Sequence, residues 1–148
     1  MLRDESEVAL NDLIKLADTA AETFETAARV IADHEADLAV LFGELGEQRR
    51  AMETELRALD RSLGDLPQDA DADYATVHDL FVRLRGLFAT DERLALVDEC
   101  EAADQDLANG LIAALHLPLP EAMAATLKHY QYDVTAALGR LAAARMRL

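Results

Sequence analysis

Residues 10–31 read LNDLIKLADTAAETFETAARVI. Within this run Leu10, Ile14, Ala17, Ala21, Phe24, Ala28 and Ile31 recur at alternating steps of four and three. An α-helix turns once in 3.6 residues, so these steps keep all seven side chains on one stripe of a helix. No Gly or Pro interrupts the run. The pattern predicts a long helix over residues 6–33 that packs its apolar seam into a bundle. Asp4, Glu5 and Glu7 stand at its start, where negative charge suits the helix dipole.

The same period continues outward. Leu38, Leu41, Leu45, Gln48, Met52, Leu56, Leu59 and Leu63 predict a second helix over residues 35–63, stopped by Gly64 and Pro67. Almost nothing separates the two helices, so they are expected to be antiparallel neighbours. An Asp-rich loop over 65–73 follows. Val77, Leu80, Phe81, Leu84 and Phe88 then predict a short helix over 74–87. Thr90 is the expected N-cap of a third long helix that runs to about residue 115. Its seam is Val97, Cys100, Asp104, Leu107, Leu111 and Ala114. Leu117-Pro118-Leu119-Pro120 ends it, and Pro120 is placed to open a last helix at its first turn. The seam of that helix is Met123, Leu127, Tyr130, Val134, Ala137 and Leu141.

Two antiparallel helix pairs joined by one long connection over residues 64–89 form the ferritin-like topology. The expected fold is therefore all-α, a ferritin-like four-helix bundle. Its crossover carries a short extra helix between the second and third long helices, and one domain covers residues 1–148. At 148 residues, 51% hydrophobic and 29% charged, the chain is large enough for a core and too apolar for disorder.

Composition narrows the function classes. No stretch reaches the roughly 18 apolar residues of a membrane span. The N-terminus is acidic and has no apolar signal core, so a cytoplasmic location is expected. With 14 basic against 29 acidic residues the net charge is −15. That disfavours nucleic acid and anionic membrane as partners, because phosphate contacts need clustered Lys and Arg. Cys100 is the single cysteine, which excludes an internal disulfide and a Cys-based zinc site.

Three strings carry a family resemblance by their order and spacing. Leu10-Asn11-Asp12-Leu13-Ile14, followed by Asp18, Phe24 and Ala27-Ala28, comes first. Leu41-Phe42-Gly43-Glu44-Leu45-Gly46-Glu47-Gln48-Arg49-Arg50, ahead of Glu55-Leu56, comes second, and Glu99-Cys100-Glu101-Ala102-Ala103-Asp104 third. Together they resemble the first three helices of an uncharacterised bacterial family, a domain of unknown function within the ferritin-like, rubrerythrin-related superfamily. The match is good over the first 65 residues and weaker after Leu119. The resemblance implies a ferritin-like bundle and no particular activity. It also implies that Asp18 matches the superfamily's first-helix carboxylate.

A di-iron carboxylate bundle needs a Glu from each of two helices and a Glu-x-x-His pair from each of the other two. The four histidines are His34, His78, His116 and His129, and three residues before them stand Ile31, Ala75, Ala113 and Thr126. No Glu-x-x-His exists. By resemblance the second-helix motif falls near Arg49 and Met52, which are unsuited to ferric iron. The last helix offers Gly139 and Arg140 near where the family often carries a His-Asp pair.

The remaining metal candidates are Asp18, Glu101 and Asp104. Asp104 falls in an apolar seam, with Glu101 one turn before it. The competing reading is a mid-bundle polar layer, in which Arg49 pairs with Asp104 or Glu101 and Gln48 bonds the rest. His129 and Asp133, four apart, are expected to make a surface pair. Cys100 is expected as a buried apolar residue.

No catalytic residue, cofactor or committed metal ligand is therefore expected. The chain reads as a non-catalytic bundle acting through self-association or binding of another protein; the alternative is a degenerate metal-binding, di-iron-type bundle. Val40, Phe42, Phe88 and Leu119 lie outside the main seams and suggest a homodimer.

Overall fold

The computed structural model describes residues 5–62 and 92–148. They form four helices: α1 (Glu5–Ile31), α2 (Ala36–Ser62), α3 (Glu92–Leu115) and α4 (Glu121–Met146). Among the described residues all regular structure is helical. The expected crossover over 64–89, its short helix over 74–87, and the positions Leu63, Phe88 and Thr90 lie outside them.

Backbone hydrogen bonds hold the α1–α2 turn and the start of α4. At the α1–α2 turn the Ile31 carbonyl accepts from the amides of His34 (2.9 Å) and Glu35 (3.0 Å), and the Glu35 carbonyl accepts from Ala39 (3.0 Å). Pro120 caps α4 at φ −54°, ψ 144°, one position before the first helical turn where the sequence places it. Its carbonyl accepts from the Ala124 amide at 2.9 Å.

The core divides into two apolar clusters stacked along the bundle. One gathers Leu10, Ile14 and Ala17 of α1, Met52 and Leu56 of α2, Leu107 and Leu111 of α3, and Met123 to Val134 of α4. The other gathers Phe24 to Ile31, Leu38 to Leu45, Leu96 to Cys100, and Ala137 to Ala144. The first half of α1 thus shares its level with the last halves of α2 and α3 and the first half of α4. It follows that α2 and α3 run parallel to each other and antiparallel to α1 and α4. Within this arrangement α1 packs on α2 and α3, α3 packs on α4, and α2 touches α4 more lightly; α2 and α3 stand on a diagonal. Burying each large aliphatic or aromatic side chain here contributes roughly 1.5–3 kcal/mol.

The seams expected on α3 and α4 are buried throughout. That of α1 is buried except at Ala28, which is half-buried beside a fully buried Ala27. On α2, Gln48 is exposed and Arg49 takes the inward place. Steps of three and of four from Leu45 are both compatible with a seam. The step of four, to Arg49, is the one that continues to Met52 and Leu56 on a single face. Phe42 is fully buried in the second cluster and Leu119 packs against the first. Both therefore fill intrachain space, while Val40 is exposed.

Gly46 marks the close approach of α2 to α1. A Cβ there would lie 3.3 Å from the Phe24 Cβ and 3.4 Å from the Glu25 Cγ. Gly43 and Gly139 have no atom within 4 Å of such a Cβ. Gly43→Ala and Gly139→Ala should each stabilise the protein by roughly 0.5–1 kcal/mol in urea unfolding, since glycine is the weaker helix former. Gly46→Val should destabilise it, because the added bulk meets the stem of Phe24.

Candidate functional site

Arg49 of α2 and Asp104 of α3 meet across the diagonal of the bundle. Arg49 Nε donates to Asp104 Oδ1 at 2.7 Å and Nη2 donates to Oδ2 at 2.8 Å, with both side chains fully buried. The pair lies where the two apolar clusters part: after Ala20 on α1, after Leu45 on α2, after Cys100 on α3 and after Val134 on α4. Ala21, fully buried and in neither cluster, is the small α1 residue at this level.

The bidentate geometry matches the planar fork of a guanidinium to the two oxygens of a carboxylate. Burial pushes the Asp104 carboxyl above its ordinary value, and the bond and charge of Arg49 pull it back down. Arg49 Nη1 is buried without a hydrogen-bond partner.

The structure does not bring the three candidate ligands together. Asp104 is taken by Arg49. Glu101, one turn earlier, accepts from Arg145 of α4 at 3.2 and 3.0 Å, and Arg145 also binds Asp98. Asp18 of α1 accepts from Arg50 Nη1 at 2.7 Å. Among the described residues no group of three or more His, Cys, Asp or Glu is gathered for a metal ion.

Arg50 is the centre of a second charged cluster, on the α1–α2 face. Beside Asp18 it binds Glu53 at 2.6 Å and Glu25 at 2.6 Å, with Glu22 at 3.5 Å, while Arg57 holds the other Glu53 oxygen at 2.9 Å. Burial is the main cause that lifts the Asp18 carboxyl above its usual value; the Arg50 bond opposes it and Glu53 adds to it. Sequence reasoning missed this cluster. Its signal was present: Asp18, Glu22 and Glu25 repeat at steps of four and three beside the seam of α1, and Arg50 directly follows the inward Arg49.

Three other groups complete the chemistry. The Tyr130 hydroxyl donates to Glu55, tying α4 to α2 where these helices touch lightly. Burial first, then the Glu55 bond and charge, hold the Tyr130 hydroxyl well above the ordinary 10.0. Cys100 is fully buried, and burial followed by the Asp104 charge pushes its thiol well above the ordinary value, so it is no nucleophile. His129 and Asp133 form the expected surface pair at 3.4 Å.

A family model described as Domain of unknown function (DUF2383) matches residues 5–116. The chain belongs to that family. The matched region runs from the start of α1 through the end of α3 and contains both Arg49 and Asp104. No curated protein matches the chain.

Removing Arg49 leaves the Asp104 carboxylate buried alone, so Arg49→Ala should destabilise the fold by about 3–5 kcal/mol in urea unfolding. Asp104→Asn keeps the shape and removes the charge, and should destabilise less.

Tyr130 should govern alkaline stability. A hydroxyl whose folded-state value is raised contributes stability that is intact below the ordinary 10.0 and lost as pH climbs toward the folded-state value. The stability difference between the parent and Tyr130→Phe should therefore be flat from neutral pH to about 10 and shrink above it. A flat difference at all pH would contradict this.

Proposed function

We propose that this protein is a ferritin-like bundle without a catalytic metal centre, acting through association with itself or with another protein. One observation carries the reading: the guanidinium of Arg49 fills the middle of the bundle and bonds both oxygens of Asp104. In ferritin-like carboxylate proteins the metal ions are held in the bundle core by Glu and His side chains on facing helices. Here that level carries a fixed cation, and Asp18 and Glu101 are each engaged by a further arginine. A metal ion would have to displace guanidinium groups that keep their charge at any physiological pH.

The order of helix directions supports the ferritin-like part of the reading. Parallel α2 and α3 on one diagonal, each antiparallel to its neighbours, is what a single long crossover between two helix pairs produces. No helix among the described residues is long and apolar enough to cross a membrane.

Metal analysis tests the proposal. Protein purified without chelator, then loaded with ferrous iron under argon, should retain fewer than about one iron per chain. It should oxidise ferrous iron no faster than buffer. About two irons per chain, with oxidation abolished in an Asp104→Ala variant, would overturn it.

A further inference from the structure

Between α1 and α3 runs a groove of about 710 Å³. Leu13 and Leu16 of α1, Ala113 of α3 and Leu117 just beyond α3 give it an apolar floor, and Val8 stands exposed along it. The α1 rim carries Glu5, Asp12 and Lys15. Gly110 lets the two helices close on each other there: a Cβ on it would reach within 2.6 Å of the Leu16 Cδ1.

Among the described residues the charges on this rim are free to meet a partner, whereas many of the arginines are already engaged. Arg49, Arg50, Arg57, Arg93, Arg140 and Arg145 each hold a carboxylate. Lys15 and Glu5 make no ion pair among the described residues. Glu5, Val8, Asp12 and Lys15 follow one another at steps of three and four, so they form one stripe along α1.

We propose that the groove is the dimer face of this protein, and that its occupant is α1 of a second copy lying antiparallel about a two-fold axis near residue 10. The proposal rests on the associative reading above and specifies its surface. An antiparallel pair in this register sets Glu5 of each copy against Lys15 of the other. The two ion pairs are about 15 Å apart along the helix, from ten residues at 1.5 Å each. Val8 of both copies lies near the axis beside the apolar floor, each facing Asp12 of the other copy, whose carboxylate stays at the rim one turn from Lys15. A two-fold interface is self-complementary, so a stripe with a cation at one end and an anion at the other suits it. A parallel arrangement would set Glu5 against Glu5 and Lys15 against Lys15, which repel. In the antiparallel arrangement α1 of each copy lies against α1 and α3 of the other.

The test is sedimentation velocity with light scattering on the full chain from about 1 to 100 micromolar. The parent should dimerise in this range. Glu5→Lys and Lys15→Glu should each weaken the dimer by about tenfold, since each sets like charges together at two symmetric places. The double swap, Glu5→Lys with Lys15→Glu, should restore it. Lys128→Glu changes the net charge as much as Lys15→Glu at an exposed site on α4 and should leave the dimer unchanged.

A dimer indifferent to both single swaps would overturn this face while leaving self-association standing. Single swaps that dissociate the dimer without recovery in the double swap would overturn the register. A parent that stays monomeric would remove the dimer altogether, leaving association with a different protein as the surviving part of the functional reading.

Discussion

A carboxylate buried between four helices has to be answered by a positive charge, and Arg49 is the group that answers Asp104. Several features of the bundle follow from that demand. The two partners sit on diagonal helices, so their bond crosses the centre rather than an edge. The apolar core is split into two clusters at that level, and the α1 side chain there is only an alanine. Sliding either helix by one turn would leave one of the charges in hydrocarbon, where an unpaired ion is destabilising by several kcal/mol. The pair thereby fixes the register of α2 against α3, two helices that otherwise share no backbone contact.

The outer charges extend the same logic with weaker bonds. Arg50 joins α2 to α1 through Asp18 and Glu25, Arg145 joins α4 to α3 through Glu101, and Arg140 joins α4 to α2 through Glu44 at 2.7 Å. Most of these groups are partly exposed, and each such pair contributes roughly 1 kcal/mol or less. Their effect on chemistry is larger than their effect on stability. A net charge of −15 would otherwise supply carboxylates in plenty for a cation, yet the buried Asp104 and Glu53 already hold guanidinium groups.

Much of this was legible in the sequence because helix period and burial are tightly linked. Every residue expected in the seams of α3 and α4 is buried, with Leu96, Ala108 and Ala144 added by the packing, and Asp104 stood out as the one charge in an apolar row. Arg49 could be matched to it because each stands near the middle of its helix, which puts the two at equal depth. The second helix was less legible: Gln48 and Arg49 are both one seam step from Leu45, and ordinary polarity favours neither. Phe42 looked surplus to the seam of α2 and is fully buried, since a helix that packs on two neighbours buries a wider stripe than one seam. The Arg50 cluster escaped because its partners are spread over α1 and α2, and four carboxylates around one guanidinium become visible only once those helices are laid together.

The most direct measurement is a double-mutant cycle on the central pair, with Arg49→Met, Asp104→Leu and the double substitution compared with the parent by urea unfolding. If the pair is mutually required, each single substitution will lose about 3–5 kcal/mol, and the double will lose far less than their sum, because it leaves no buried charge behind. Single losses that simply add, or an Arg49→Met protein as stable as the parent, would show that the bundle does not depend on this bond.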